Sequence, residues 1–527
     1  MEGIEQKVDE VFAEWDHTVT PGCALAVVKD EQVIYSRGYG IANLEYGIPI
    51  TPQTVFHIAS ISKHFAALAV TLLAHEGKLS LDDDVRKYVP EVPDFGETIT
   101  LRHLIHHTSG LRDQWELLIL AGWRMDDVIT MEDILDLVSK QQELNFKPGD
   151  NHVYCNTGYT LLSFVVQRVT GQSMRDFCAE RMFNPLGMKH THFHDDHTML
   201  VTNRAYSYEP VGYHQYKHSV LSYANVGATS LFTTVEDLAR WDAEFYTGAV
   251  FGKDVIAEMH TLGKLNNGEE LEYAYGLRIA SYKGLKIVEH SGGDAGYRTH
   301  MLRFPEQHFS VIVFSNLGTV APGMLAHQVA DLYLADQINA ETDEVSVQEM
   351  AAEKLTPYAG IYYNAADQST QRLEMRADRL FVMMGPGLEL ESIGENEFRA
   401  KLYPDARLKF MEDEEGLRLL IGSGGYGKAT AFRRMQVETP SIEDLRAYVG
   451  VYLSPELDSK FSFCIEEDHL LLCRRKYGKV QMIPTIKDGF TTAEFPVDMF
   501  FYRDDAGQVA GFRLSAGRVK KLNFIKQ

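Results

Sequence analysis

The chain has 527 residues, more than one ordinary hydrophobic core organises, so two or three domains are expected. Hydrophobic residues make up 45% and charged residues 24%, which excludes a disordered chain, and the net charge of −23 argues against a nucleic acid or an anionic membrane as partner. No apolar run approaches the ~20 residues that span a bilayer. The acidic start lacks the features of a signal peptide, and the five cysteines form no disulfide framework, which predicts a cytoplasmic protein with reduced thiols.

Residues 1–340 carry helical patterns between strand patterns. Strands at both ends with helices between them predict an α/β domain whose sheet joins the N-terminal and C-terminal segments. In chain order, the predicted elements are a helix over 5–15, a strand pair over 24–28 and 33–35, a helix over 64–79, strands over 275–280, 285–288 and 309–314, and a helix over 324–337.

From residue 341 onward, short alternating strands replace the helical patterns, and one motif occurs twice. Tyr-Ala-Gly-Ile-Tyr at 358–362 recurs as Tyr-Val-Gly-Val-Tyr at 448–452. A chance strand pattern is the alternative, but each copy follows a short acidic stretch and precedes alternating strands, which favours a duplication. The sequence therefore predicts two small antiparallel β-barrels, over 341–440 and 441–527.

Ser60 and Lys63 form a Ser-x-x-Lys pair at the start of an apolar helical run. The spacing predicts Ser60 on the first helical turn, near free backbone N–H groups, with Lys63 on the same face. A serine hydroxyl needs a neighbouring base to become a nucleophile, and Lys63 can serve if burial or other cations lower its pKa. The alternative is a helix start with a solvated lysine, in which Ser62 caps the helix.

Tyr154 and Asn156 follow a turn at Pro148-Gly149, which predicts a loop that enters a helix. A tyrosine pushed toward phenolate could take the serine proton and return it to the leaving group. Asn156 could hold a substrate carbonyl or orient Lys63. Tyr-x-Asn also occurs at 223–225 and 362–364, so spatial position must decide between the copies.

His290 begins the segment His-Ser-Gly-Gly, directly after the strand pattern at 285–288. Its glycines, Gly292 and Gly293, let the backbone lie close to a ligand. A strand edge here could supply one oxyanion-hole N–H from Gly293, with the N–H of Ser60 as the other. His290 would line the pocket as a donor or proton carrier, and a plain turn is the alternative.

Together and in this order, Ser-x-x-Lys, Tyr-x-Asn and His-x-Gly resemble the motifs of the penicillin-recognising serine hydrolases. That group includes class C β-lactamases, D,D-peptidases, D-aminopeptidases and related esterases. The resemblance covers residues 1–340 and implies a multi-domain chain with a β-lactamase/transpeptidase-like catalytic domain of α/β (α+β) class. It implies these roles: Ser60 as nucleophile, Lys63 and Tyr154 as acid–base pair, Asn156 as substrate contact, and His290 in place of the family's Lys-Thr-Gly lysine.

One group of cytoplasmic D-aminopeptidases has this catalytic domain followed by two small β-barrels, and Gly110–Trp115 also looks like that group. In these enzymes, an excursion from the last barrel reaches the active site and limits it to short substrates with a free amine. The corresponding stretch here, Thr491–Phe500, is short, and Glu494 and Asp498 are its candidates for contacting an amine. The chain has no Lys-Thr-Gly, whose lysine usually binds a substrate carboxylate, and this weighs against a β-lactamase or carboxypeptidase.

The predicted function is therefore a serine hydrolase that acts through an acyl-enzyme. The favoured activity is a D-stereospecific aminopeptidase or amidase acting on short peptides or amides. A carboxylesterase or β-lactam-interacting hydrolase of the same fold and a non-catalytic binding protein are the alternatives. The expected partner is a small peptide, amide or ester substrate, with no cofactor, metal, nucleic acid or membrane, and a homodimer is left open.

Overall fold

A computed structural model of the protein describes residues 2–339, 347–383, 387–401, 403–423, 429–474, 478–492 and 497–527. The helices of residues 2–339 are α1 (Glu2–Val11), α2 (Ser62–His75), α3 (Leu101–Ile105), α4 (Gln114–Ala121), α5 (Met131–Ser139), α6 (Asn156–Thr170), α7 (Met174–Cys178), α8 (Asn184–Leu186), α9 (Val235–Thr247), α10 (Lys253–Met259) and α11 (Pro322–Tyr333). Their strands are β1 (Cys23–Lys29), β2 (Gln32–Tyr39), β3 (Ile41–Asn43), β4 (Ile48–Pro49), β5 (Phe56–His57), β6 (His192–Phe193), β7 (Tyr208–Gly212), β8 (Gln215–His218), β9 (Leu231–Thr233), β10 (Arg278–Tyr282), β11 (Leu285–Asp294), β12 (Tyr297–Phe304) and β13 (Phe309–Ser315).

An antiparallel sheet organises this first unit, with strand order β10-β11-β12-β13-β1-β2. The pairing of β1 with β13 sets Ala26 opposite Ile312, so strands from the two ends of the segment lie side by side, as the sequence predicts. Between β1 and β2 the chain turns at Asp30 and Glu31, both with positive φ (48° and 61°), a geometry that matches the twist of a two-residue hairpin.

Helix α2 lies at the centre of the unit, and its residues from Ser62 to Leu73 are all buried. A helix that is apolar on most sides must be surrounded by other elements. Here α2 shares one continuous hydrophobic core with the sheet and with α6. The helix begins two residues before the predicted start at 64 and ends at His75, four residues before the predicted end. On the other face of the sheet, a second core packs α1 and α11 through Val8, Phe12 and Val329.

Two closed antiparallel barrels follow. The first contains β14 (Gly360–Asn364), β15 (Ser369–Arg376), β16 (Arg379–Val382), β17 (Leu388–Gly394), β18 (Glu397–Ala400), β19 (Tyr403–Asp413), β20 (Gly416–Ser423) and β21 (Thr430–Met435), and is preceded by α12 (Ala352–Leu355). The second contains β22 (Gly450–Ser454), β23 (Ser459–Glu466), β24 (His469–Arg474), β25 (Gly478–Pro484), β26 (Gly489–Thr492), β27 (Val497–Arg503), β28 (Val509–Ala516) and β29 (Val519–Lys526), and is preceded by α13 (Ile442–Arg446). The predicted fold class is confirmed, while the boundary at 340/341 falls in 340–346, outside the described residues, and the three domain limits stay a prediction.

The repeated Tyr-x-Gly-x-Tyr motif has the same structural role in both barrels. The hydroxyl of Tyr362 donates to the carbonyl of Tyr358 at 2.7 Å, and the hydroxyl of Tyr452 donates to the carbonyl of Tyr448 at 2.8 Å. In each copy the second tyrosine lies in the barrel core, so the motif ties the entering chain to the first strand. This equivalence supports the interpretation as a duplication.

The second barrel docks on the first unit through a buried ion pair. Arg112 and Glu456 are 2% and 1% exposed, and Nη1 lies 2.5 Å from Oε2. The Arg112 guanidinium also donates to the carbonyl of Lys520 at 3.0 and 3.1 Å. Because Arg112 precedes the first turn of α4, this contact fixes the second barrel next to the region that holds the candidate site. Among the described residues, no helix is both long and apolar enough to cross a membrane.

Candidate active site

Ser60 lies on a tight turn between β5 and α2. A single 3₁₀ turn spans Ala59–Ile61, and the α-helix begins only at Ser62. The prediction that Ser60 lies on the first turn of the α-helix is therefore wrong, because Ser60 lies on the 3₁₀ turn that precedes it. Ala59 has a φ of +47°, a strained conformation for a residue with a Cβ. Ser62 does not cap the helix: its hydroxyl donates to the carbonyl of Ala59 at 2.5 Å and accepts from the N–H of Leu231 at 3.0 Å.

Lys63 brings its amine to the Ser60 hydroxyl. Its Nζ lies 3.1 Å from Ser60 Oγ, 2.8 Å from Asn156 Oδ1 and 2.8 Å from the carbonyl of Ala228. The side chain is fully buried, and this burial lowers the pKa of Lys63 to about 7, against the opposing charges of Asp294 and Asp113. The alternative of a solvated lysine is excluded, and the amine can gain or lose a proton near neutral pH.

Asn156 is the first residue of α6 and connects Lys63 to a buried carboxylate. Its backbone N–H and its Nδ2 both donate to Asp113 Oδ2, at 2.6 and 2.9 Å. These bonds turn the amide oxygen toward Lys63. Asp113 also caps α4 by accepting from the N–H of Trp115. Burial would raise the pKa of Asp113, but Arg518 and these donors outweigh it and lower the pKa, so the carboxylate stays ionised.

Tyr154 lies on the loop that enters α6, as its position after Pro148-Gly149 predicts. Its ring is the surface on which the Lys63 amine rests, with Nζ 4.8 Å from the ring centroid. The ring of His107 packs against the ring of Tyr154, with the two centroids 4.2 Å apart. The fold thus brings the pair Ser60 and Lys63 together with the pair Tyr154 and Asn156, although a long stretch of sequence separates the two pairs.

His290 lies in the middle of β11, and the strand continues through the whole His-Ser-Gly-Gly segment, so the alternative of a plain turn is excluded. Its Nδ1 lies 2.6 Å from the carbonyl of Ser291 and its Nε2 lies 3.0 Å from the hydroxyl of Tyr273. Because a carbonyl only accepts, Nδ1 carries the proton and Tyr273 donates to Nε2. Burial, followed by the charge of Lys63, lowers the pKa of His290 to about 3, so the ring is neutral.

Gly292 and Gly293 bring β11 next to Ser60 in different ways. A Cβ on Gly292 would come within 2.3 Å of the carbonyl of Ile58 and 3.1 Å of the backbone nitrogen of Ser60. Gly293 is opposite Arg298, one step from the Asp294–Tyr297 pair that closes the hairpin. In an antiparallel ladder closed by two residues, that closing pair exchanges hydrogen bonds, so the N–H of Gly293 points away from β12. It faces the open strand edge beyond the last β10 pair at Glu289.

These residues line a cleft of about 780 Å³ to which all three units contribute. The lining includes Ser60, Tyr154, His290 and the two glycines, with Ile421 and Thr430 from the first barrel and Arg518 from the second. Arg518 lies on the turn between β28 and β29, and its carbonyl accepts from Asn145 Nδ2 at 2.8 Å, which holds the turn over the cleft.

The guanidinium of Arg518 is held by two carboxylates. It lies 3.2 Å from Asp113 Oδ1 and 2.9 Å from Glu116 Oε1, and 5.9 Å from the centroid of Tyr154. These two charges outweigh burial and raise the pKa of Arg518, so it is a fixed cation beside Tyr154. The last barrel therefore reaches the site, but through a different hairpin from the one considered in the sequence.

In the stretch Thr491–Phe500, the described residues 491–492 and 497–500 do not line the cleft. Asp498 is buried against the first barrel, where its carboxylate accepts from the N–H of Thr370 at 2.7 Å, so its candidacy as an amine ligand is wrong. Glu494 lies outside the described residues. Sequence reasoning missed Asp113, Tyr273, His107 and Arg518 as parts of the site. Only Asp113, within Gly110–Trp115, and His107, within His106–Leu111, had a signal, because both segments look like the family.

Comparison with known proteins agrees with this geometry. The model of the family described as Beta-lactamase matches residues 6–335. The chain belongs to the beta-lactamase family. The fold of this family is that of serine hydrolases, so the chain is an enzyme of that class, and the family resemblance inferred from the motifs is confirmed.

Similarity to individual proteins reaches beyond residues 6–335 in two of the three following cases. A D-aminopeptidase of Gluconobacter oxydans (strain 621H) is 28% identical over 447 residues, covering 83% of this chain and 80% of its own. Penicillin-binding protein 4* of Bacillus subtilis (strain 168) is 30% identical over 301 residues, 54% of this chain and 65% of its own. Among solved structures, the octameric penicillin-binding protein homologue from Pyrococcus abyssi has a TM-score of 0.58 at 26% identity, covering 82% of this chain and 99% of that one.

Proposed function

We propose that this enzyme hydrolyses amides through an acyl-enzyme on Ser60 and acts as a D-stereospecific aminopeptidase or amidase. The observation that carries the proposal is the position of the Lys63 amine, buried and 3.1 Å from Ser60 Oγ. Since its pKa is lowered to about 7, the amine can be neutral at the pH where a hydrolase works, and a neutral amine can accept a proton from a neighbouring hydroxyl group.

The proposed reaction has two halves. Ser60 Oγ attacks the substrate carbonyl while Tyr154, poised by Lys63, takes the hydroxyl proton, and the N–H groups of Ser60 and Gly293 hold the oxyanion. Tyr154 then gives the proton to the leaving amine, which departs and leaves an ester on Ser60. Water cleaves this ester by the reverse proton route and releases the acid. Tyr154 and Lys63 titrate as a coupled pair throughout.

Two features support an amine-bearing rather than a carboxylate-bearing substrate. His290 is neutral and stands in place of the lysine of the family's Lys-Thr-Gly motif. This position therefore offers no positive charge to a substrate carboxylate. Arg518, the arginine beside Tyr154, already pairs with Asp113 and Glu116. The similarity to a D-aminopeptidase over 83% of the chain, which is more than the catalytic domain alone, points the same way.

The second candidate is a carboxylesterase or a β-lactam-interacting hydrolase of the same fold. The similarity to penicillin-binding protein 4* favours it. A non-catalytic binding protein is the least supported reading, because such a protein has no need to bury a lysine against a serine hydroxyl at the desolvation penalty that burial carries.

A substrate panel tests the proposal. The purified protein is given D-alanine and L-alanine p-nitroanilides, a p-nitrophenyl ester and a chromogenic cephalosporin. Preference for the D-anilide over the L-anilide supports the proposal. Ester or cephalosporin turnover without anilide turnover selects the second candidate. No turnover, together with no labelling by a fluorophosphonate, contradicts any hydrolase function.

Replacement of the nucleophile tests the mechanism. Ser60→Ala is expected to lower kcat/KM by at least ~1000-fold and to abolish fluorophosphonate labelling, because the acyl-enzyme cannot form. Ser139→Ala, at the exposed end of α5, is the matched control and keeps both. Turnover by Ser60→Ala within tenfold of wild type, a barrier change below ~1.4 kcal/mol, would show that Ser60 is not the nucleophile.

A further inference from the structure

A second cluster of polar side chains lies on the opposite face of β11 from His290. Glu289 of β11, His300 of β12 and His327 of α11 each bring one donor atom within 4.8 Å of the other two. Glu289 and His300 are buried, at 8% and 4% exposure, and His327 is partly exposed on its helix. The proposed hydrolysis uses none of the three.

Both histidines have one ring nitrogen already engaged. Nδ1 of His327 lies 2.8 Å from the carbonyl of Gly323 and therefore carries the proton. Nδ1 of His300 lies 2.8 Å from the hydroxyl of Ser291. In metal sites, the ligating histidine characteristically gives its other N–H to a carbonyl, carboxylate or hydroxyl, which fixes the tautomer and the ring direction. Here that arrangement leaves Nε2 of both rings as the binding nitrogen.

The remaining ring nitrogen of His300 faces the carboxylate. His300 Nε2 lies 3.3 Å from Glu289 Oε2 as a buried histidine–carboxylate pair, whose angles are poor for a hydrogen bond. Metal–ligand bonds of about 2.0–2.2 Å place the ligand atoms of a tetrahedral ion roughly 3.3–3.6 Å apart. The separation of these two atoms therefore suits joint coordination of one ion as well as a direct pair.

Charges around the cluster leave room for a cation. Arg278 pairs with the other oxygen of Glu289, Oε1, at 2.7 Å, so Oε2 is the one turned toward the histidines. Asp331, one helical turn after His327, pairs with Lys283 at 2.8 Å, so this lysine is neutralised and does not repel a cation at the cluster. No other cationic side chain is recorded against Oε2 in the described part of the chain.

From this geometry we infer that Glu289, His300 and His327 bind a divalent transition-metal ion, with zinc as the ion that two imidazoles and one carboxylate suit best. Three protein ligands leave the fourth position to water. The spacing of 289, 300 and 327 matches no metal motif, because the ligands come from three separate elements, and this is why the sequence analysis expected no metal. The site shares β11 with His290, so an ion here would hold Ser291 through His300 directly beside the catalytic cleft.

Zinc binding to the full chain tests the inference, with any affinity tag removed and the protein first treated with EDTA. We expect one Zn²⁺ per chain by titration against a chromogenic chelator. We expect His327→Gln to weaken binding at least ~100-fold, because losing a direct ligand exceeds the 10–100-fold loss typical of an outer partner. Ser291→Ala, which removes such an outer partner, is expected to lie between the two.

The matched control is His308→Gln. His308 pairs with Glu31 at 2.7 Å, so it repeats the histidine–carboxylate contact without a second histidine, and its loss should leave zinc affinity unchanged. Co²⁺ gives an independent reading on the wild type, where visible absorption of the strength typical of tetrahedral coordination is expected. No zinc binding by the wild type at ~100 µM, no Co²⁺ band, or equal affinity in His327→Gln and wild type would each overturn the inference.

Discussion

At the scale of single residues, the candidate site depends on one buried amine. Lys63 can be held beside Ser60 because Asn156 and the carbonyl of Ala228 take its other hydrogen bonds, and these partners offset part of the free energy lost when an ammonium leaves water. Burial is also what makes the amine useful, since it brings the pKa of Lys63 from 10.5 to about 7.

The pH dependence of activity follows from this shift. Below pH 7 Lys63 binds a proton and the Tyr154–Lys63 pair loses its basicity; above pH 7 the proton leaves. We expect kcat/KM to rise with pH about tenfold per unit below ~7 and to level off above it. A profile of kcat/KM from pH 5 to 9 checks this. A flat profile across that range would rule out a titrating Lys63–Tyr154 pair as the base.

Asp113 is a positioning residue that orients Asn156. Asp113→Asn replaces an acceptor by an amide that can face the Asn156 Nδ2 with its own donors, so the amide oxygen is no longer held toward Lys63. We expect kcat to fall ~10–100-fold with KM changed less than threefold, since small displacements of catalytic groups have effects of this size. The pH limb should also move, which a purely structural role would not cause. Asp133→Asn, which removes a helix cap in α5, is the control and should leave kcat unchanged.

At the scale of elements, the close approach of β11 to the Ser60 turn requires a glycine. Gly292 faces the carbonyl of Ile58 at a distance that no side chain tolerates, whereas an added Cβ on Gly293 would meet only the Arg298 side chain, at 3.6 Å. The two glycines thus have different roles. Gly292 allows β11 to pack against the Ser60 turn, and Gly293 leaves the strand edge open.

Alanine substitutions at Gly292 and Gly293 distinguish the packing role from the role at the strand edge. Gly292→Ala is expected to lower the free energy of unfolding by about 1–3 kcal/mol through overpacking, and to reduce activity because β11 is pushed from Ser60. Gly293→Ala should leave the free energy of unfolding within ~0.5 kcal/mol of wild type. Urea denaturation of both variants makes the comparison. Equal stability of the two would mean that the contact with Ile58 is relieved by backbone movement.

At the scale of the whole molecule, the barrels complete the cleft. Ile421, Thr430 and Arg518 form walls that the catalytic domain alone lacks. The second barrel is tied down beside the site by Arg112, the residue next to Asp113, so docking of the barrel and orientation of Asn156 share one short segment.

The docking contact has a testable energetic consequence. Glu456→Gln leaves the Arg112 guanidinium buried without its counter-charge, and we expect a loss of about 3–5 kcal/mol in the stability of the docked state. The exposed pair Lys140–Asp458 spans the same interface, so Asp458→Asn is the control, with an expected loss below ~1 kcal/mol. Urea titration followed by tryptophan fluorescence gives the unfolding midpoint of each variant. Similar midpoints for both variants would show that the buried pair does not hold the barrel.

Features that depend on residues close together in the chain can be predicted from the sequence. Ser60 and Lys63 are three positions apart, so one helical turn is nearly enough to pair them. The barrels are predicted by a repeated motif whose two tyrosines, four positions apart, hydrogen-bond to each other where the first strand begins. The family motifs predict Tyr154 and His290 as site residues, and both line the cleft.

Which distant residues surround the predicted site residues follows only from the tertiary structure. Arg518 reaches the cleft from the end of the chain, Asp113 orients Asn156, and His300 and His327 meet Glu289 across three elements. The physical reason is that such contacts depend on how strands and domains pack, and packing between remote segments leaves no periodic trace in either one. For the same reason the sequence does not show that the turn between β28 and β29 overhangs the cleft, since docking of the second barrel against α4 places Arg518 there.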